Sequence, residues 1–493
     1  MKRLISASLF LPIALLAQSS SQVGTATVEG ETGPQAVSIS GLTSSSDANS
    51  IVLQWTTSGA ASSSASCGAE GALPDPAQAA VTSHELPVAG LSPSTGYTCT
   101  VCSNGACQNI SPATASAPSS TPIIGVSFGA ETAYNSTSPP AQNQGDTYYN
   151  TVSSDGVTYV VTDDTTYGFG GSGSVNSAMM VSKFTSLSPL IGQNVNTLEG
   201  FGNAEGGPSG SGLSSKLSGL ISFDGCLFGA VGYQNENDSG NYNQQYYGNI
   251  IRSCDHGATW TNIQGTNSAN GTIPSPYTTT SWPGTTPTNF ASPNWVMYGA
   301  DDGTMGYTTA NDRVQNANAY VYVISNGQTS SHTACWTDCD AYYLARTPRA
   351  TLLANPGTTV WQFYTGGDGT QDGAWSTTQA NATPILSNAA KLSLASIQYI
   401  PALNRYLLLT WYYPSGYGNT TTWEAYDAPA PWGPFTSVPV TNQPTGYGYY
   451  NPVPLQADAL AATFSSTTMR VLFAGYWSGS EYSLQFATMT VQH

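Results

Sequence analysis

Charge is scarce in this 493-residue chain: Lys and Arg together number 11, Asp and Glu 28, and all charged residues reach only 8%. A usual globular protein carries about 25%. The shortage falls on the basic side, leaving a formal net charge of −17. A phosphate backbone is repelled by such a surface, so nucleic acid is excluded as a partner. Histidine is rarer still, at four positions: His84, His256, His332 and His493. A dinuclear metallohydrolase needs several His and Asp ligands brought together, and four scattered imidazoles exclude it. No metal or cofactor is expected. Beyond residue 17 no apolar run is long enough to cross a bilayer.

Aromatic residues, by contrast, reach 11%, and Gly is abundant at 51. Disordered chains are poor in aromatics, so the composition points to a packed all-β protein with many polar turns. The first residues, Met1-Lys2-Arg3, precede the apolar stretch Leu4 to Ala17 and the small polar "QSSSQ". That order reads as a secretory signal peptide over 1–21, followed by a polar linker over 22–35. No Cys follows to carry a lipid. Export makes the protein secreted or periplasmic, and disulfides become the default for its eight Cys. In sequence these fall as close neighbours: Cys67 and Cys99, Cys102 and Cys107, Cys226 and Cys254, Cys335 and Cys339. Spacing alone leaves the pairing open.

Between 36 and 117, "AVSISGL", "SIVLQWTTS", "SSASCGAE", "SHELPVAGL" and "GYTCTVCSNGACQNI" are short β-prone runs separated by Ser, Gly and Pro. This spacing suggests a sandwich. Tyr97 in "LSPSTGYTCTV" stands where a tyrosine corner would sit. The stretch resembles a fibronectin type III domain, particularly the form preceding the catalytic domain of purple acid phosphatases. "SPATASAPSSTP" then closes it as a linker.

From 122 to 493 the rhythm changes. "YYNTVSSDGVTYVVTDD" (148–164), "LSGLISFDGCLFGAVGYQN" (217–235) and "LASIQYIPALNRYLLLTWYY" (394–413) each read as apolar strand, tight turn, second strand. "ALAATFSSTTMRVLFAGYW" (459–477) repeats the pattern, and 294–325 repeats it with a long insertion. Five such units predict a five-bladed β-propeller. The segment "IIGVSFGAETAY" (123–134) is expected to close the ring by joining the last blade.

One stretch, "SCDHGATW", is more specific. Ser253, Asp255, Gly257, Thr259 and Trp260 match the Asp-box of sialidase-type propellers, over 253–260. Here an Asp carboxylate and a Ser hydroxyl bind turn amides, Gly takes a positive φ, and Trp packs between strands. In that family the box lies away from the central site, so its role is structural. Together with "YLART", "YIPALNRYLLLT" and "WEAYDAPAPWGPF", the region resembles secreted bacterial five-bladed propellers, themselves similar to furanosidase-type glycoside hydrolases. Among those hydrolases a base Asp opens the first blade, the place held here by Asp146, whereas their second-blade Asp and third-blade Glu have no clear counterparts.

The resemblance implies a carbohydrate-directed site at the propeller mouth. Asp146 is the candidate base, with Asp164 or Glu236 as the acid, since a glycosidase needs two carboxyl groups. Asp163, Lys216 and Asn235 stand beside them at the same strand ends, and Trp411, Tyr449 and Trp477 offer rings to stack on sugar. A sialidase would also need an arginine cluster for its substrate carboxylate. If the mouth does no chemistry, the protein is an extracellular binding or matrix protein recognising glycans or cell-surface proteins.

Overall fold

The computed structural model describes residues 36–46, 51–71, 80–88, 91–116, 119–134, 144–165, 168–169, 177–198, 213–235, 244–262, 267–268, 290, 292–297, 320–327, 329, 334–354, 361–367, 369, 372–416, 419–446, 448–475 and 483–493. The signal-peptide and linker readings over 1–35, and residues Glu236 and Trp477, lie outside them. The chain is all-β apart from short helices such as Arg349–Ala354 and Gln456–Ala461.

Two sheets form the N-terminal unit. One joins Ile39–Ser46, Ile51–Ala61 and Val81–Val88; the other joins Glu70–Gly71, Ser64–Cys67, Cys99–Ser103 and Ala106–Ile110. In Ile51–Ala61 alternate residues are buried, so Ile51, Leu53 and Trp55 face the second sheet. Together with Leu86 and Val88 of their own sheet they pack against Cys67, Cys99 and Val101 of the other. The Trp55 indole donates across to Ser103 Oγ at 3.0 Å. The Tyr97 hydroxyl accepts the Ser92 N–H at 2.8 Å, tying the strand approach back to its preceding loop.

Antiparallel meanders follow one another through the rest of the chain. The first comprises Asn150–Val152, Thr158–Thr165, Ser177–Leu187 and Leu190–Asn196. The second runs from Leu213–Phe223 and Cys226–Asn235 to Gln244–Ser253 and Trp260–Asn262. The third is built on Pro293–Met297, Tyr320–Gly327 and Cys339–Pro348, and the fourth on Ser396–Ile400, Arg405–Tyr412, Thr422–Ala428 and Thr436–Val438. The fifth joins Tyr450–Pro454, Thr468–Gly475 and Ser483–Gln492. Its outer strand comes from far earlier in the chain: Gly125–Ala133 pairs antiparallel with Ser483–Gln492. The segment 123–134 therefore does join the last meander.

One expectation needs correction. The run "ALAATF" at 459–464 was expected to open the last strand pair, but Gln456–Ala461 is helical and Tyr450–Pro454 is the first strand. Ala and Leu are strong helix formers, and the helical stretch Gln456–Ala461 holds no β-branched residue to oppose them.

Buried polar side chains join each meander to the next near the starts of their first strands. Leu217 N–H donates to Asp163 Oδ1 at 2.7 Å, and Ser218 Oγ donates to the Pro293 carbonyl at 2.5 Å. Asn294 donates to the Ala395 carbonyl, and Ser396 Oγ donates to the Pro452 carbonyl at 2.7 Å. The circuit closes where the Tyr149 hydroxyl reaches Asn451 Oδ1 at 3.1 Å. First strands that bond in a circle converge on one axis. A void of only about 10 Å³ lies there among Tyr149, Trp295, Gln398 and Val453, room for about one water. A ligand larger than water does not fit at this point on the axis.

The four disulfides are Cys67–Cys99, Cys102–Cys107, Cys226–Cys254 and Cys335–Cys339. Cys226 and Cys254 have Cα atoms 4.2 Å apart and staple neighbouring strands of the second meander. Four such bonds fit an oxidising compartment. Among the described residues no helix is long and apolar enough to cross a membrane.

Candidate functional site

Asp146 precedes the first strand of the first meander, and Asp163 lies near the end of its second. Their backbones pair, Asp146 N–H to the Asp163 carbonyl at 2.9 Å and the reverse bond at 3.1 Å. Gly145 makes this approach possible. Its φ is +89°, and a Cβ placed there would lie 2.1 Å from the Asp163 carbonyl oxygen. Only glycine fits.

The two carboxyl groups are nearly buried, Asp146 at 5% exposure and Asp163 at 2%. Burial drives the Asp163 carboxyl well above its usual range; the Asp146 charge adds to the rise, and Lys216 opposes it. Two close acids in a dry site cannot both ionise without cost, so the pair favours holding a proton. Tyr450 anchors the other side by donating its hydroxyl to Asp146 Oδ2. Burial pushes the Tyr149 hydroxyl upward, and both carboxylates reinforce it.

Asp164 is turned the other way. It adopts a φ of +47°, and its carboxylate pairs with the Lys216 ammonium. Its side chain is 27% exposed, so it stands at the rim while Asp163 stands beneath. The carboxyl group that adjoins Asp146 is Asp163, with Asp164 above it at the rim; the sequence named Asp164 or Glu236 as the acid, and Glu236 lies outside the described residues. Asn235 ends the second strand of the second meander.

The rings divide unequally. Trp411 is fully buried, packed against Tyr413, Tyr450 and Trp336 at centroid distances of 5.2, 5.0 and 5.3 Å. Tyr449 turns toward the outer strand, where it donates to Glu131 Oε1 at 3.1 Å; burial and that carboxylate raise it to about 12. The part-exposed ring beside the acids is Trp336, edge-on to Tyr450 at 5.7 Å. It sits inside the loop closed by Cys335–Cys339. That loop is pinned: Leu394 N–H donates to the Trp336 carbonyl at 3.1 Å, and Tyr413 N–H donates to Asp338 Oδ1 at 3.0 Å. Burial raises the Asp338 carboxyl, against the pull of its hydrogen bonds from Tyr413 and Thr337. Sequence reading passed over this loop, although a Trp and an Asp between two Cys, "CWTDC", is a compact signal.

The described arginines do not gather here. Arg346 lies over the rings of Tyr320 and Trp375 at 4.0 and 4.2 Å, and Arg349 pairs with Asp224. Arg405 grips Asp427, Arg470 grips Asp458, and Arg252 donates to the Leu353 carbonyl. Among the described residues, then, the arginines form no carboxylate-binding cluster of the sialidase kind. Nor do three or more His, Cys, Asp or Glu side chains among them group to hold a metal ion.

The 253–260 turn lies elsewhere and is held chiefly by its own side chains, with Asn196 donating from outside to the Ala258 carbonyl at 2.9 Å. Asp255 Oδ1 accepts from Ser253 Oγ at 2.7 Å and from Thr259 N–H at 2.8 Å, and Gly257 N–H donates to Ser253 Oγ at 2.8 Å. Gly257 takes a φ of +86°, and the buried Trp260 donates its indole N–H to the Gly257 carbonyl at 2.9 Å. Partial burial opposes ionisation of Asp255, but hydrogen bonds from Thr259 and Ser253 outweigh it and hold the carboxyl below its usual value.

No family model matches this chain, and no curated protein matches it. Solved structures do. A candidate hydrolase from Bacteroides ovatus is 12% identical with a TM-score of 0.40, covering 70% of this chain and 85% of its own. A protein of unknown function from Dyadobacter fermentans is 12% identical with a TM-score of 0.37, covering 75% of this chain and all of its own. A family 43 β-xylosidase/α-arabinofuranosidase from a compost microbial metagenome is 12% identical with a TM-score of 0.35, covering 73% and 95%. Likeness at this level assigns no chemistry to any residue.

Proposed function

We propose that this is an exported protein in which a fibronectin type III-like domain (36–117) precedes a five-bladed β-propeller (122–493), and that the propeller mouth engages carbohydrate. The observation that carries the reading is a continuous strip at one end of the axis. Trp336 packs on Tyr450, Tyr450 bonds Asp146, Asp146 pairs with Asp163, and the adjoining Asp164 holds Lys216. A flat part-exposed ring beside fixed hydrogen-bonding groups is the combination sugar recognition uses. The turn at 253–260 has the bonds expected of an Asp-box and serves as a blade fastener.

A second reading, glycoside hydrolysis, is supported by one specific observation: Asp163 is held toward its protonated form beside Asp146. A proton-bearing acid and a carboxylate base are what the reaction requires. Asp164 at the rim is the more accessible partner for Asp146 in the same role.

The test is titration of a panel of oligosaccharides into the parent and into Trp336→Ala, beside turnover of aryl glycosides by the parent and by Asp146→Asn. Binding that disappears in Trp336→Ala supports the mouth as the site. Turnover lost in Asp146→Asn adds hydrolysis, whereas binding unaffected by Trp336→Ala would place the ligand elsewhere.

A further inference from the structure

The charges around the mouth restrict which sugars it takes. Resting on the carbohydrate reading above, we infer that the preferred ligand is an amino sugar carrying a protonated amine, seated on Trp336 between Asp338 and the Asp146–Asp163–Asp164 group. Asp338 is two residues from Trp336 in the disulfide-closed loop and is held by Tyr413 N–H. On the other side, Tyr450 links the Trp336 ring to Asp146. Against these carboxyl groups stands one cation of the strip, Lys216, and it is already engaged by Asp164. Even with one proton shared by Asp146 and Asp163, the strip carries net negative charge.

The described arginines point the same way by where they are spent. Arg346, Arg349, Arg405 and Arg470 each serve a carboxylate or an aromatic ring outside the mouth. Among the described residues, a uronate, sialate or sulfated sugar would meet carboxylates and no guanidinium to receive it, and like charge disfavours it. A protonated amine meets the opposite situation: carboxylate oxygens to accept its hydrogens, and an indole face that attracts cations.

The probes are a glucosamine oligomer, its fully N-acetylated counterpart of equal length and an oligogalacturonate, titrated into the full-length protein by calorimetry at low and raised salt. The expected result is that the glucosamine oligomer binds at least about tenfold more tightly than the acetylated one. That advantage should shrink with salt and with Asp338→Asn, and binding should vanish in Trp336→Ala and survive in part in Trp336→Phe. Circular dichroism of each variant establishes that it is folded.

Because the whole chain is acidic, a polycation is also drawn to it non-specifically. Trp336→Ala leaves the charge intact, so amine binding that survives this change overturns the inference. Equal or tighter binding of the acetylated or uronate oligomer, abolished by Trp336→Ala, overturns the amine preference while leaving the mouth as the site. Failure of all three to bind overturns the inference, while the carbohydrate reading itself is decided by the wider oligosaccharide panel.

Discussion

Trp336 and Trp411 touch, yet they are expected to respond to truncation in opposite ways. Trp411 is fully buried among rings, so Trp411→Ala leaves a cavity and should cost about 3–5 kcal/mol, read as a lower denaturant midpoint. Trp336 keeps part of its surface in water, so its loss should be felt mainly in ligand binding. Asp163 gives a second residue-scale prediction. Its folded carboxyl is raised above the ordinary 3.8, so the stability it contributes is full at low pH and is lost as pH rises through the folded value. Asp163→Asn keeps an oxygen for Leu217 N–H but removes the charge. Its melting temperature should exceed the parent's above neutral pH, with the gap closing toward acid. A gap independent of pH would mean that Asp163 folds already ionised.

Elements explain both what could be read in the sequence and what could not. Apolar strand runs and Asp-Gly turns are local properties, so the strand pairs around Asp155-Gly156 and Asp224-Gly225 were legible; Asp224 and Gly225 both take positive φ, as a tight hairpin demands. The 253–260 turn was legible because the bonds that define it, among Ser253, Asp255, Gly257, Thr259 and Trp260, lie within eight residues. Which of Asp163 and Asp164 adjoins Asp146 was not. It depends on a bridge to Asp146 seventeen positions earlier and on a positive φ that breaks the strand's alternation. Trp336 was missed for a similar reason: its neighbours Tyr450 and Trp411 come from other meanders. The same distinction sets the element-scale prediction. Asp255→Ala removes local bonds and should cost about 1–2 kcal/mol while leaving ligand binding unchanged. Deleting 123–134 removes a long-range partner, exposing the edge of Ser483–Gln492. That variant should aggregate and lose its cooperative melt.

At the scale of the whole molecule, the N-terminal sheets enclose a core of their own, separate from the clusters that fill the meanders. Separate cores joined through a short linker should melt separately, giving two calorimetric transitions. The pH response can assign them, because each unit holds a buried group of opposite sign. In the N-terminal unit His84 is stacked on Trp55 at 4.8 Å, with Ser63 Oγ at 2.6 Å from Nδ1 and Thr57 Oγ1 at 2.8 Å from Nε2. Burial lowers its pKa below the ordinary 6.5, so its stability is present above that value and lost as pH falls. Asp163, in the meanders, gains as pH falls. Lowering pH from about 8 to about 5 should therefore move the N-terminal transition down and the other up. His84→Gln should abolish the first movement and Asp163→Asn the second. Both transitions shifting the same way, or each variant affecting the wrong one, would show that the two cores do not unfold independently.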